Sequence, residues 1–170
     1  MTKPLLGTLV GLHCLSATAA QAAEPVGCDK FRWPMDRERA ALTADGVAKT
    51  VPDAVRTAAP TAFELALVPS ETAKLSRPPE HTPKPGTFAG TVAFGAPPAG
   101  TYQVTLSDVA WLDLVQGDAF RKPSAFSGAT GCTGVRKVVR FDLDGSPFVL
   151  QVSGAPVDHL RVMVEAVPAE

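Results

Sequence analysis

The sequence predicts an all-β protein, an antiparallel, jelly-roll-like β-sandwich with a short N-terminal helical segment. Three observations predict it. Apolar and polar residues alternate in short runs along the C-terminal half, the period of a half-buried strand. Turn residues separate those runs about every eight to twelve positions, which suits a sandwich and lacks the strand–helix rhythm of a parallel sheet. The composition, 45% hydrophobic over 170 residues, supports one core of ordinary size and is too apolar for a disordered chain.

Residues 1–22 read as a secretory signal peptide. Lys3 gives a positive start, Leu5, Leu6, Leu9, Val10, Leu12 and Leu15 an apolar middle, and Ala20-Gln21-Ala22 a small-x-small cleavage site. The apolar run is too short for a spanning helix, and His13 before Cys14 argues against lipid attachment. The expected location is therefore periplasmic or secreted, with no membrane span and a monomeric state. Cleavage after Ala22 leaves 148 residues with 15 basic and 17 acidic side chains, net −2. That balance gives no electrostatic reason to expect nucleic acid as a partner. Cys28 and Cys132 remain, and two thiols in an oxidising compartment are expected to form one disulfide. It would close a loop of about 100 residues, worth on the order of 4–5 kcal/mol in the chain-entropy model.

Residues 23–61 form an N-terminal segment and a connection. Pro34 is suited to the first position of a short helix, and Asp36 and Glu38 favour its N-terminal turn. Phe31, Trp33, Met35 and Leu42 would dock it on the domain. Residues 44–61, with Asp45-Gly46, Pro52 and Pro60, read as irregular. The sandwich is assigned to residues 62–170. Phe63 to Leu67 alternates as a strand, and the proline-rich stretch 69–86 is expected to be a long extended surface loop. Further strands are expected over 87–94, 102–106, 110–115, 135–143, 148–153 and 160–165. Asp144-Gly145 reads as a two-residue hairpin turn.

Gly100-Thr101-Tyr102-Gln103-Val104-Thr105-Leu106, Val139-Arg140-Phe141-Asp142-Leu143 and Gly145-Ser146-Pro147-Phe148-Val149-Leu150-Gln151-Val152-Ser153-Gly154 carry a family likeness. Over residues 87–167 the chain resembles the secreted pre-peptidase C-terminal type of β-sandwich. The resemblance implies a non-catalytic appendage, of a kind that in some cases binds polysaccharide or matrix protein. The chain is expected to depart from that pattern in having no catalytic domain attached.

Motifs for chemistry are sparse. His81 and His159, beside Glu80 and Asp158, supply the ingredients of a two-histidine, one-carboxylate iron site, the ring-cleaving dioxygenase alternative. They sit in a loop and at a strand edge, without the close ligand pair such a site needs. Asp142-x-Asp144-Gly145 imitates the start of a calcium loop but lacks its later oxygen ligands. No nucleophile elbow or phosphate-cradling glycine loop is present. No catalytic residue and no cofactor are therefore expected. Arg121, Lys122, Arg136, Lys137 and Arg140 make a basic region suited to an anionic or protein partner, with a solvated sheet face as the plainer reading. Trp111 and Asp113 share one strand face, and Trp111 is expected to be buried. The leading expectation is an exported binding or accessory module for an envelope component, glycan or partner protein. An inhibitor or chaperone-like binder, using loop 69–86 as its contact, is the remaining alternative.

Overall fold

The computed structural model describes residues 23–56 and 61–168; the expected signal peptide lies outside the described residues. A 3-10 turn, Cys28–Lys30, precedes the helix α1 (Asp36–Thr43). Strands follow as β1 (Ala48–Thr50), β2 (Ala54–Arg56), β3 (Thr61–Ala66), β4 (Val68–Pro69), β5 (Phe88–Phe94) and β6 (Gly100–Leu106). The second half adds β7 (Trp111–Gln116), β8 (Ala119–Arg121), β9 (Ala125–Gly128), β10 (Lys137–Leu143), β11 (Phe148–Ala155) and β12 (His159–Ala166).

Two sheets result. The first has the order β1-β3-β12-β6-β10-β9, the second β2-β5-β11-β7-β8, with β4 also on β5. Within them, β3-β12-β6-β10 and β5-β11-β7-β8 follow jelly-roll order and pair antiparallel throughout. The expected antiparallel sandwich needs one correction, because both sheets are mixed. β1 runs parallel to β3 and β2 parallel to β5. These strands arise in the stretch 44–61 that sequence had read as irregular. Short edge strands with few apolar residues escape a periodicity argument, since only one side of each is paired.

A second correction concerns Asp144-Gly145. It is not a hairpin turn: β10 belongs to the first sheet and β11 to the second, so the turn carries the chain across the sandwich. Gly145 has φ +92, and the Asp144 carboxylate accepts from the Ser146 amide (3.0 Å) and hydroxyl (2.6 Å), a turn held by its own side chain. The two-residue hairpin of this half is Gly117-Asp118, where Gln116 pairs with Ala119.

Alternation produces the core. Val104 and Leu106 of β6, Val139 and Phe141 of β10, and Leu160 and Val162 of β12 point inward from the first sheet. Val92, Phe94, Leu114, Phe148 and Leu150 meet them from the second, with Phe94 and Phe148 stacked at 4.7 Å between centroids. A second apolar cluster lies outside the first sheet. Phe31, Met35 and Leu42 bury themselves against Val138 and Met163, with Trp33 partly buried beside them, so the expected docking is observed. The Cys28–Cys132 disulfide forms there, across 104 residues of chain. α1 starts at Asp36 with Met35 as its N-cap, placing Pro34 just before the cap rather than inside the helix. At the other end Arg161 Nη1 donates to the carbonyls of Leu42 (2.8 Å) and Ala44 (3.2 Å), matching a cation to the helix C-terminus. Gly134 is required nearby, because a Cβ on it would stand 2.5 Å from Thr43 Cγ2 and its φ is +81.

Candidate functional site

The outer face of the second sheet is polar. Alternation turns Thr91, Gln151, Ser153, Trp111 and Asp113 away from the core, yet all but Trp111 are buried. Loop 70–87 covers them. Its residues alternate from Ala73 to Pro79, with Ala73, Leu75, Arg77 and Pro79 half-buried and those between exposed, as expected of an extended chain lying on a surface. Proline fixes that extension and removes amide donors that would otherwise need partners. Two of the remaining donors are met by side chains of the sheet. Gln151 Oε1 accepts the Arg77 amide at 3.2 Å, and Asp113 Oδ2 accepts the Glu80 amide at 3.3 Å. Asp113 also accepts Gln151 Nε2 at 3.3 Å and the Trp111 indole N–H at 2.6 Å, so one buried carboxyl gathers three donors.

Where this loop meets the strand ends, it leaves an open cavity of about 320 Å³. His81, Thr82 and Lys84 form the loop wall; Trp111, Lys137 and Ser153 form the opposite one. A second cavity of about 320 Å³ adjoins it, sharing Val109, Ala110 and Lys137, and is walled by Phe126, Arg136 and Glu24. Together they make one groove along the edge of the sandwich. Trp111 is 38% exposed there, Val109 46% and Phe126 72%, which corrects the expectation that Trp111 is a core anchor. The reason is parity: Trp111 shares the outward face with Asp113, and the loop stops short of covering it. His81 lies against the indole at 5.1 Å between ring centroids, and Lys137 Nζ is 5.3 Å from its centroid. Lys137 reaches over from the first sheet and donates to the Ala110 carbonyl at 3.1 Å. Burial, then the neighbouring Arg136 charge, push its pKa below the usual lysine range, while Asp113 pulls the other way.

A separate polar cluster fixes α1 to the first sheet. Glu38 and Glu165 are both buried, and the Glu38 carboxyl lies close enough to that of Glu165 to disfavour its charge. Gln103 Nε2 donates to Glu38 Oε1 at 2.6 Å, and Arg37 pairs with Glu165 at 2.9 Å. Arg140 Nε donates to Gln103 Oε1 at 3.0 Å and its guanidinium lies 3.7 Å over the Trp33 ring. Desolvation and the adjacent Glu38 raise Glu165 to about 7. Two carboxyls sharing a dry site cannot both ionise cheaply.

The residues singled out from sequence are therefore divided. Arg136 and Lys137 line the groove, Arg136 also holding Glu24 at 2.7 Å. Arg140 belongs to the carboxyl cluster, Arg121 pairs with Asp144, and Lys122 is exposed just beyond β8. Ser146 chiefly holds the Asp144 carboxyl below its ordinary range. Asp142 accepts the Thr101 hydroxyl at 2.7 Å. His159 is exposed and pairs with Asp158 at 2.6 Å, whereas His81 faces Trp111. Among the described residues no group of three or more His, Cys, Asp or Glu side chains is placed to hold a metal ion, so His81, His159, Asp142 and Asp144 are not gathered into one site. No described helix is long and apolar enough to cross a membrane.

Sequence reasoning missed Glu38, Glu165, Lys84, Val109 and Phe126. Gln103 and Glu165 sit on the polar phase of their strands, where alternation alone reads them as solvated, and only the topology pairs them and brings both beneath α1. Comparison with protein-family models, curated proteins and solved structures gives no match for the chain.

Proposed function

We propose that the chain is an exported binding module, and that it takes a saccharide of the cell envelope or its surroundings in the groove at Trp111. The observation that carries this reading is the half-exposed indole between the loop wall and Lys137, opening on a cavity of about 320 Å³. A saccharide offers apolar C–H faces and many hydroxyls, and the groove offers an aromatic surface beside Thr82, Thr87, Lys84 and Lys137. The intrachain disulfide supports the exported setting, since such bonds persist in oxidising compartments.

The test is calorimetric titration of residues 23–170 with a panel of neutral and acidic oligosaccharides. Binding at micromolar to millimolar strength, weakened about tenfold or more by Trp111→Ala, is the expected result. Binding that survives Trp111→Ala unchanged would move the site elsewhere. A second reading, a protein partner docking on the exposed edge, rests on Phe126, which is 72% exposed on β9, the last strand of the first sheet. Phe126→Ser would abolish that contact, whereas Trp111→Ala would leave it intact.

A further inference from the structure

The geometry points to an acidic saccharide as the occupant of the cavity under the loop, its carboxylate meeting the Lys137 ammonium. This rests on the groove being a saccharide site and adds the charge of the ligand. No carboxylate lines that cavity, whereas Lys84 contributes a cation from the loop and Lys137 one from β10. Asp113, the acid that acts on Lys137, is already engaged by Trp111, Gln151 and the Glu80 amide. The other acid of the groove, Glu24, is taken up by Arg136.

Lys137 thus holds a positive charge in a partly dehydrated place, with the Ala110 carbonyl at 3.1 Å and the indole as neutral neighbours. A site with this balance gains most from an anion, because charge-assisted hydrogen bonds are the strong ones away from water. An independent observation falls on the same wall. Ser153 is 1% exposed, pairs with Trp111 in the β11–β7 register, and its buried hydroxyl has no hydrogen-bond partner among the described residues. Buried hydroxyls are normally satisfied, so an unpaired one lining a charged cavity marks a place where a ligand or its water completes the set.

The experiment uses uronate trimers of three kinds (galacturonate, glucuronate and mannuronate) and the methyl ester of each, which keeps the ring and removes the charge. Titrations are run on the mature chain and on Lys137→Gln, Trp111→Ala and the distant surface control Lys49→Gln. At least one acid trimer is expected to bind tenfold or more tightly than its ester. Lys137→Gln should remove most of that difference by weakening acid binding far more than ester binding, and Lys49→Gln should change nothing. If Lys137→Gln does not fold, Lys84→Gln on the exposed loop wall is expected to weaken acid binding about threefold. Equal binding of acid and ester, both weakened by Trp111→Ala, would overturn the charge assignment and leave the groove reading in place. No binding by any acid or ester would overturn the charge assignment, and no binding by the neutral oligosaccharides either would overturn the groove reading.

Discussion

The sandwich hides its two outer faces under segments of similar length and opposite chemistry. Outside the first sheet, residues 28–43 bury Phe31, Met35 and Leu42 and are stapled by the Cys28–Cys132 bond. Outside the second, loop 70–87 lies on a polar floor and is held by hydrogen bonds to Gln151 and Asp113. The first cover is a true second core and should unfold with the domain. The second is held by bonds that water can replace, so it should open locally. That difference places the groove: binding surfaces belong at the edge of the cover that can yield, on a scaffold that cannot.

The largest effect expected from breaking this contrast is at the disulfide. Replacing both Cys28 and Cys132 with Ser should lower stability by roughly 4–5 kcal/mol in the chain-entropy model, read from urea unfolding. A change below about 1 kcal/mol would show that the N-terminal cover is not part of the cooperative unit. Leu42→Ala should destabilise globally by about 2–4 kcal/mol, as expected for a fully buried leucine, with one shared transition by fluorescence and circular dichroism. Asp113→Ala leaves three donors without their acceptor and should cost about 2–3 kcal/mol. Its distinguishing mark is local. In the loop, Arg77 and Lys84 precede prolines, so trypsin should cut after Lys74, and faster in Asp113→Ala than in the parent. An unchanged cleavage rate would contradict a loop held by Asp113.

A smaller effect concerns pH. Glu165 is raised from 4.5 to about 7, so between those values the folded state binds more protons than the unfolded one. Its contribution is fully present below about pH 4.5 and is lost as pH rises through about 7, on the order of 2 kcal/mol. Glu165→Gln should flatten this part of the stability profile. A parent protein equally stable at pH 5 and pH 8 would show that the Glu38–Glu165 pair is not shared through one proton.

Much of the fold was legible because burial on one face leaves a period of two. Val104, Val139, Leu150 and Val162 each appear where alternation puts them. The two cysteines were legible because chemistry left them one simple pairing. What escaped was non-local. Asp144-Gly145 has the local look of a hairpin, and nothing in those residues tells that the next strand joins the other sheet. β1 and β2 carry too few apolar residues to show a period. In the groove, Lys137 was visible as part of a basic run, but its neighbours Lys84, Trp111 and Ser153 come from segments far apart in sequence. The exposure of Trp111 depends on where the proline loop ends, which is a matter of packing and not of composition.

The most direct test of the groove is a chemical-shift map of the ¹⁵N-labelled mature chain during titration with an acid uronate trimer. The account predicts shifts confined to residues 81–87, 109–111, 136–137 and 153–154, with the Trp111 indole N–H moving most. Shifts centred on α1 and the Glu38–Glu165 cluster, or no shift at the Trp111 indole at saturation, would contradict it.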